Sequence, residues 1–301
     1  MDSLTNDHRV RRSAAALRQV DKGLYPTASV IIAVYNHFNW LRLILDALRH
    51  QSNMDFEVVI ADDGSDAETV DAIHRYMATY PEFPVIHSWH TDQGWRKNTA
   101  LNKAIASSKG EYLIFVDGDC IPHPRFVDDH LRLRKKGVVI GGRRVDITES
   151  VSRMVENWSA LPQNYFNIVR KAMLRYFREE DFFTSLKQLR HLVHYPFIAG
   201  KPLPLKKHGM LGCNMGMYRE DLMKINGFDE RYLAPGIGED TDLEVRLSNA
   251  GIPVLRSPRY ALMIHRHHAR LPLDSPDNVA LLRAAIDNKT TRTPYGLISP
   301  R

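Results

Sequence analysis

The sequence contains only two cysteines in 301 residues, Cys120 and Cys213. A disulfide framework needs several paired cysteines, so the class of small disulfide-stapled secreted folds is excluded and a reducing cytoplasm is the expected compartment. No run of apolar residues approaches the roughly 18 to 20 that a membrane-spanning helix needs. We therefore expect a cytoplasmic chain without membrane-spanning helices.

Glycine-rich phosphate loops are absent as well. No G-x-G-x-x-G follows the first apolar segment, and no G-x-x-x-x-G-K-[ST] occurs anywhere in the sequence. Such loops bring backbone N–H groups close to phosphates, so their absence disfavours a dinucleotide-dependent dehydrogenase and a P-loop NTPase. A nucleotide that binds to this chain would have to be held in another way.

What the sequence does have is an alternation of short apolar segments with amphipathic ones. We predict strands at 28–35, 56–61, 84–88, 111–116, 138–144, 214–218 and 260–265, and helices at 40–50, 98–107, 219–225, 239–250 and 278–286, with a further helix through Val70, Ile73 and Met77. Strands that alternate with helices are typical of parallel sheets with crossover helices. The predicted fold class is therefore α/β, with a mixed, mostly parallel Rossmann-like sheet flanked by helices.

Polar residues stand where these predicted strands end. They are Asn36, Asp62, Asp63, Asp117 and Asp119. In open α/β sheets, ligands bind beyond the carboxyl ends of the strands. The positions of these residues therefore predict a nucleotide site.

Asp117 and Asp119 follow a buried strand and are two residues apart. Side chains at this spacing lie on one face of an extended segment, so the two carboxylates can converge on one point. Gly118, between them, lets a ligand approach the backbone closely. Hard oxygen ligands suit Mg²⁺ or Mn²⁺, although Asp and Gly are also ordinary turn residues, and a simple acidic turn stays open.

Positive charge is concentrated in one segment. Residues 153–207 hold ten Lys/Arg and four Asp/Glu, a surplus equal to the whole net charge of +6. The segment is also rich in aromatic residues and interrupts the β/α alternation, so we predict a helical basic insertion around 150–207. Its composition favours an acidic partner or a peripheral contact with an anionic membrane, at the inner face of the cell membrane. A helical lid packed on the core is the alternative.

Five segments, in this order, resemble glycosyltransferase family 2 on the nucleotide-sugar-binding fold called GT-A. They are Ser29–Asn36, Val58–Ser65, Gln93–Arg96 with Leu101–Ile105, the D-x-D motif Asp117–Asp119, and the set Gly212–Met215, Gly227–Glu230 and Gly238–Leu243. The last set is similar to a galactosyltransferase-type C-terminal half. Ala33 stands where the family usually has Pro, Leu101 where it has Arg, and Ile237 where a Trp is usual. The identity of the donor sugar is therefore not inherited from the resemblance.

The resemblance implies a metal site at the D-x-D motif. It assigns metal contact to Asp119, while Asp117 contacts the ribose or reaches the metal through water. The family places a His at the end of a late strand, which favours His265 as a further ligand, with His268 second. Imidazole beside carboxylate favours Mn²⁺ (or Mg²⁺) over Ca²⁺. Ordinary surface positions for these histidines stay open.

The resemblance also implies a general base, Asp240, at the start of a predicted helix whose apolar face contains Leu243 and Leu247. A base opposite the leaving group gives inversion at the anomeric carbon. Helix capping is the alternative role for an acid at this position. Glu239, its neighbour in the catalytic pair, can supply that cap and leave Asp240 free to face the cleft.

Further residues are implied to bind the nucleotide. Asp63 accepts the uracil N3–H, with Asp62 as the competing choice, and both also suit helix capping. Tyr35 stacks on the base or belongs to the core. Arg96 binds the diphosphate, and Asn214 lies near the sugar.

The predicted function is that of an inverting, metal-dependent glycosyltransferase that moves a hexose-type sugar from a UDP-sugar to a glycan or lipid-linked glycan, in polysaccharide or lipopolysaccharide biosynthesis. The alternatives are a sugar nucleotidyltransferase and a non-catalytic basic polyanion-binding protein. We expect no nucleic-acid partner, because such a partner would leave the carboxylate series unexplained. The predicted units are an N-terminal extension (1–27), a nucleotide-sugar-binding half (28–149), the insertion (150–207), an acceptor or catalytic half (208–268) and a C-terminal tail (269–301).

Overall fold

The computed structural model describes residues 8–21, 23–156, 194, 204–207, 209–257, 259–269 and 275–298. Most of the predicted basic insertion lies outside the described residues, and so do the lid and the membrane contact expected of it. Within the described part of the chain, no helix is both long enough and apolar enough to cross a bilayer.

Twelve strands and nine helices make up the described part of the chain. The strands are β1 (His8–Arg12), β2 (Ala28–Val34), β3 (Phe56–Asp62), β4 (Val85–His90), β5 (Tyr112–Asp117), β6 (Cys120–Pro122), β7 (Val139–Gly141), β8 (Arg143–Asp146), β9 (Lys206–Lys207), β10 (Asn214–Tyr218), β11 (Val254–Arg256) and β12 (Leu262–His265). The helices are α1 (Ala14–Asp21), α2 (Phe38–Arg49), α3 (Ala67–Thr79), α4 (Lys97–Ser107), α5 (Phe126–Leu133), α6 (Glu149–Glu156), α7 (Arg219–Lys224), α8 (Glu239–Asn249) and α9 (Pro276–Asp287).

The main sheet has the strand order β1-β4-β3-β2-β5-β10-β7-β11-β9 among the described residues. Strands β2 to β5 are parallel to one another, whereas β10 is antiparallel to both β5 and β7. Strand β11 is parallel to β7, so parallel pairing resumes beyond β10. This confirms the predicted mixed, mostly parallel α/β sheet.

Both faces of the central strands are buried. Alternate residues of β2 belong to different apolar clusters: Val30 and Ile32 pack with α2 and α3, and Ile31 packs with α4 and α8. All three are fully buried. Strands covered by helices on both faces read as continuous apolar runs, which is why the sequence identified them.

A small second sheet, in the order β6-β12-β8, lies beside the main one. The segment predicted as one strand at 138–144 is in fact two strands, β7 in the main sheet and β8 in the small one. The chain changes sheet at Gly141 and Gly142. Gly142 has no room for a side chain, because a Cβ there would lie 2.4 Å from Asn214 Oδ1 and 2.3 Å from the Ala261 carbonyl oxygen.

Six elements of the described chain were not predicted: β1, α1, α5, β6, β9 and β11. Strand β1 belongs to the region predicted as an N-terminal extension, and it pairs antiparallel with β4 at the edge of the main sheet. Its sequence, His-Arg-Val-Arg-Arg, has little apolar character. Charged residues are ordinary on edge strands, where they hinder pairing with other chains, so hydrophobic pattern does not identify such a strand.

Candidate active site

The carboxyl ends of three neighbouring strands form the floor of the candidate site. Strand β2 lies between β3 and β5, with Val34 opposite Asp62 and Ala33 opposite Asp117. The chain then turns at Gly118, where a Cβ would lie only 2.7 Å from the Ala33 carbonyl oxygen. A residue other than glycine would therefore push the turn away from β2.

Asp119, His265 and His268 form a cluster whose potential ligand atoms all lie within 4.8 Å of one another. Asp119 Oδ2 is 3.4 Å from His265 Nε2 and 3.2 Å from His268 Nε2. The small sheet brings them together, since His265 pairs with Cys120 and the backbone N–H of Arg266 donates to the Asp119 carbonyl. The resemblance implied Asp119 and His265 as ligands, with His268 as the second choice, and the structure brings all three side chains together.

The surroundings of this cluster suit a divalent metal. Asp146 Oδ1 lies 2.9 Å from His265 Nδ1, an arrangement that orients the ring and leaves Nε2 facing Asp119. Burial alone would lower the pKa of His265, but Asp119 and Asp146 raise it to about 9. Two imidazoles converge on carboxylate oxygens here, a donor set that fits Mn²⁺. The three residues Asp119, His265 and His268 would hold the metal.

Asp117 contacts Lys97 and is not part of the cluster of Asp119, His265 and His268. Its Oδ1 lies 3.1 Å from Lys97 Nζ, and the same ammonium group lies 3.0 Å from Glu239 Oε1. Lys97 thus joins the end of β5 to the start of α8. Burial alone would lower the pKa of Lys97, but Asp117, Glu239 and Asp240 raise it well above its usual value. Lys97 is a site residue that sequence reasoning did not identify.

Asp240 lies in the first turn of α8 and is partly buried. Burial is the largest cause that raises the pKa of Asp240 to about 7; Glu239 and Asp117 act in the same direction, and Lys97 opposes them. The backbone N–H of Gly212 donates to its carboxylate. A group with a pKa near neutrality in a cleft can accept a proton at physiological pH.

Asp62 and Asp63 occupy the turn between β3 and α3 and are both buried. Asp62 accepts hydrogen bonds from His87 Nε2 (2.8 Å) and the Ser65 N–H (2.8 Å). Asp63 Oδ2 accepts the Arg96 N–H at 2.9 Å. Asp62 therefore shapes the turn from within, and Asp63 connects the turn to the start of α4.

Tyr35 and Arg96 border this turn. Tyr35 is about half exposed, at 46%, and its hydroxyl donates to Asp92 Oδ2 at 3.1 Å. Arg96 precedes α4, and its guanidinium donates to the Trp95 carbonyl at 2.9 Å. Both side chains lie near the strand ends and retain surface for a ligand.

Asn214 has a different environment from the one predicted. It is fully buried, and its amide donates to the Ala261 carbonyl at 2.8 Å while His130 Nε2 lies 3.1 Å from its Oδ1. These contacts join β10 to the segment before β12 and to α5. The side chain is thus committed to joining the two sheets, and the structure gives it no surface toward a sugar.

Comparison with known proteins supports the resemblance to glycosyltransferase family 2 that the motifs indicate. The model of glycosyl transferase family 2 matches residues 29–225, and a model described as the N-terminal domain of galactosyltransferase matches residues 198–269. The glycosyltransferase EpsH of Bacillus subtilis is 32% identical over 107 residues, which are 36% of this chain and 30% of EpsH.

Solved structures share the fold. The mannosyltransferase PcManGT from Pyrobaculum calidifontis, in complex with GDP-Man and Mn²⁺, has a TM-score of 0.52 at 19% identity, covering 80% of this chain and 57% of that one. Residues 1–349 of S. aureus TarS, in complex with UDP-GlcNAc, have a TM-score of 0.53 at 16% identity, covering 87% and 66%. At these identities the likeness concerns the fold alone.

The family match extends over more than half of the chain and includes β2 to β5 with their strand-end acids. A match of this extent favours the family over the alternative of a sugar nucleotidyltransferase. The chain belongs to glycosyl transferase family 2 and has the GT-A fold.

Proposed function

We propose that this protein transfers a hexose-type sugar from a UDP-sugar to a glycan or lipid-linked glycan, with inversion at the anomeric carbon and with Mn²⁺ or Mg²⁺ as cofactor. The observation that carries the proposal is the cluster of Asp119, His265 and His268 at the strand ends. Mn²⁺ accompanies GDP-Man in one structural neighbour, and UDP-GlcNAc is bound in another.

The donor nucleotide would lie over the ends of β2, β3 and β5. Asp63 and Tyr35 would border the base, and Arg96, which precedes α4 and whose N–H donates to Asp63, would lie beside it. A metal held by Asp119, His265 and His268 would supply Lewis-acid neutralisation of the leaving diphosphate. Asp117 is held by Lys97 close to the same point.

Asp240 would act as the general base. Its carboxylate takes the proton of the acceptor hydroxyl while that oxygen forms a bond to the anomeric carbon, and the bond from this carbon to the diphosphate oxygen breaks. The proton remains on Asp240 and the electron pair leaves with UDP. Attack from the side opposite the diphosphate gives inversion. A pKa of about 7 keeps a substantial fraction of Asp240 in the basic form at neutral pH.

A donor screen with matched variants tests this function. UDP-Gal, UDP-GalNAc, UDP-Glc, UDP-GlcNAc and UDP-GlcA are each incubated with the protein and Mn²⁺, and UDP release is measured. Asp240→Asn should lower kcat by about 10²- to 10⁴-fold, the usual contribution of general base catalysis, while UDP binding persists. Asp119→Ala should lose Mn²⁺-dependent UDP binding.

Asp287→Asn, at the exposed end of α9, serves as the control and should retain wild-type turnover. Turnover that survives both Asp119→Ala and Asp240→Asn would refute the assigned roles. The acceptor and a peripheral contact with anionic membrane through 153–207 are parts of the same proposal. Sedimentation with anionic vesicles at low salt tests the membrane contact, and absence of binding there removes it.

A further inference from the structure

The two acids of the turn after β3 face opposite sides of the main sheet. Asp62 is 0% exposed and contacts His87 of β4. His87 is paired with Ile60, whose side chain belongs to the apolar cluster that packs against α2 and α3. Asp63 instead accepts the N–H of Arg96 at the start of α4. Asp62 is therefore directed toward α3, and Asp63 toward the face that carries α4.

A chain of hydrogen bonds leads from the protein surface to Asp62. Nη1 of Arg11, an exposed residue of β1, lies 3.2 Å from Nδ1 of His74 on α3. Nε2 of His74 lies 3.2 Å from Nδ1 of His87, and Nε2 of His87 lies 2.8 Å from Asp62 Oδ2. His87 is 2% exposed. The chain thus joins the edge strand, a helix and two inner strands, and it ends on a buried carboxylate.

The two ends of this chain fix the positions of its protons. A guanidinium group can only donate, so Nδ1 of His74 accepts from Arg11 and its Nε2 carries the proton. His74 then donates to Nδ1 of His87, whose protonated Nε2 donates to Asp62. Both rings are therefore neutral. Burial lowers the pKa of His74 most, and His87 and Arg11 lower it further against the effect of Asp71 and Asp62, which agrees with a neutral ring.

At its inner end, the chain holds the turn that contains Asp63. Asp62 Oδ1 accepts the N–H of Ser65 at 2.8 Å. The Ser65 hydroxyl oxygen accepts the N–H of Asn36 at 2.9 Å, and its carbonyl accepts the indole N–H of Trp89 at 3.0 Å. One turn thus connects β3 to β4 and to the segment that follows β2. Since Asp63 lies within this turn, its position depends on how Asp62 is held.

We propose that His87 and His74 are positioning residues for the donor nucleotide: they hold the Asp62 carboxylate toward α3, so that the turn presents Asp63 to the base. Neither histidine touches the donor, and both act through Asp62. This inference rests on the proposed function, and it deepens that function by assigning the base contact to Asp63 and the internal support to Asp62. Buried polar networks of this kind specify one arrangement when every member is satisfied.

The test uses UDP with Mg²⁺ as the probe, and titration calorimetry on the full-length protein as the measurement. His87→Phe keeps a flat ring but removes both nitrogens, so Asp62 loses its donor and the turn loses its support. The Kd of UDP should rise by about tenfold, the equivalent of 1.4 kcal/mol. The kcat for UDP release from a UDP-sugar should change much less than KM, because Asp240 is not part of the chain.

Conservative variants separate the hydrogen bonds from the packing of the ring. In His87→Gln the side-chain amide can still donate to Asp62, so the Kd should lie closer to that of the wild type than to that of His87→Phe. His74→Phe leaves the bond between His87 and Asp62 in place, so it should weaken UDP binding less than His87→Phe. Hydrogen exchange of peptides that cover 60–68 should be faster in His87→Phe and slower again in His87→Gln.

His50→Phe is the matched control, because it makes the same exchange at an exposed position next to α2. Its Kd for UDP should equal that of the wild type. Thermal melts verify the fold of each variant. If His87→Phe does not fold, the comparison of His74→Phe with His87→Gln and the control carries the test.

Equal UDP binding by the wild type and the folded histidine variants would overturn the inference, even if exchange of the turn became faster, because the chain would then be structural only. A fall in kcat without a change in Kd, or equal losses in His87→Gln and His87→Phe, would overturn it as well. These outcomes leave UDP binding by the wild type intact. A wild type that does not bind UDP would contradict the proposed function and the inference that rests on it, so the two failures are distinguishable.

Discussion

At the scale of single residues, Lys97 controls the charge state of the candidate base. Its ammonium group contacts Asp117 and Glu239, and it lowers the pKa of Asp240 against the effect of burial. In Lys97→Met the pKa of Asp240 should therefore rise further above about 7. Since the deprotonated form is the base, activity at neutral pH should fall severalfold and recover as the pH is raised. The acid limb of the kcat/KM profile measures this shift.

Lys109→Met provides the control for Lys97→Met, because Lys109 is an exposed lysine next to the opposite end of β5. Its profile should coincide with that of the wild type. A loss in Lys97→Met that is the same at every pH would contradict a role through Asp240 and would point to a direct contact with the donor.

Gly212 allows the backbone to approach Asp240. A Cβ at this position would lie 1.9 Å from Asp240 Oδ2, so Gly212→Ala must displace the carboxylate. We expect kcat to fall by about 10²-fold, the usual cost of misplacing a catalytic group by about 1 Å. Gly209→Ala is the matched control, since a Cβ there would meet only Glu244, at the ordinary distance of 3.9 Å. Equal kcat values for the two variants would show that Asp240 is not the base.

At the level of residues, the resemblance pointed to Asp119 and His265, and the structure brings their side chains together at two strand ends. Their role as metal ligands stays a prediction. Lys97 was missed because nothing in the sequence tells which residue of a helix start faces the cleft. The burial of Asn214 against Ala261 could not be predicted, because a motif match does not reveal the partners of a side chain.

At the scale of elements, long buried strands and amphipathic helices were predictable, whereas short or polar ones were not. Strands β6 and β11 have three residues each, too few for an apolar period to show. The small sheet was therefore invisible in the sequence, although it sets the distance between Asp119 and His265. Gly141 and Gly142 lie at the break between β7 and β8, but the sequence alone does not show that the chain changes sheet there.

Helix α9 has a role in the site that its position in the predicted C-terminal tail did not suggest. Asn278 is buried, and its amide donates to the carbonyls of Ala234 and Ile237, both at 2.9 Å. These residues form the loop that leads through Gly238 into Glu239 and Asp240. Asn278→Ala should cost about 1 to 3 kcal/mol through lost buried hydrogen bonds, loosen this loop and lower kcat.

Hydrogen exchange followed by mass spectrometry checks the effect of Asn278→Ala. Peptides that cover 230–242 should exchange faster than in the wild type, whereas peptides from β2 and β3 should not change. Asn288→Ala, at the exposed end of the same helix, should leave both the loop and kcat unaltered. Unchanged exchange of the loop in Asn278→Ala would show that α9 does not position the catalytic helix.

At the scale of the whole molecule, the candidate site is assembled from distant parts of the chain. The acids of β3 and β5 come from its first half, and the histidines at and after the end of β12 and the candidate base on α8 come from its second half. The two halves meet through β10, which pairs with β5 on one side and β7 on the other. Nucleotide and metal together would therefore bridge segments that are far apart in sequence.

Ligand binding should consequently stabilise the fold in a metal-dependent way. A ligand at 100 times its Kd stabilises the native state by about 2.7 kcal/mol, which corresponds to a rise in Tm of roughly 5 to 10 °C for a domain of about 150 to 250 residues. We expect UDP with Mn²⁺ to raise the Tm of the wild type by several degrees and UDP with EDTA to raise it much less. His265→Ala with His268→Ala should lose the Mn²⁺-dependent part. His267→Ala, which changes the exposed histidine between them, should keep it. If UDP and Mn²⁺ stabilised the double variant as strongly as the wild type, the metal would not be bound by the histidines that the small sheet brings to Asp119.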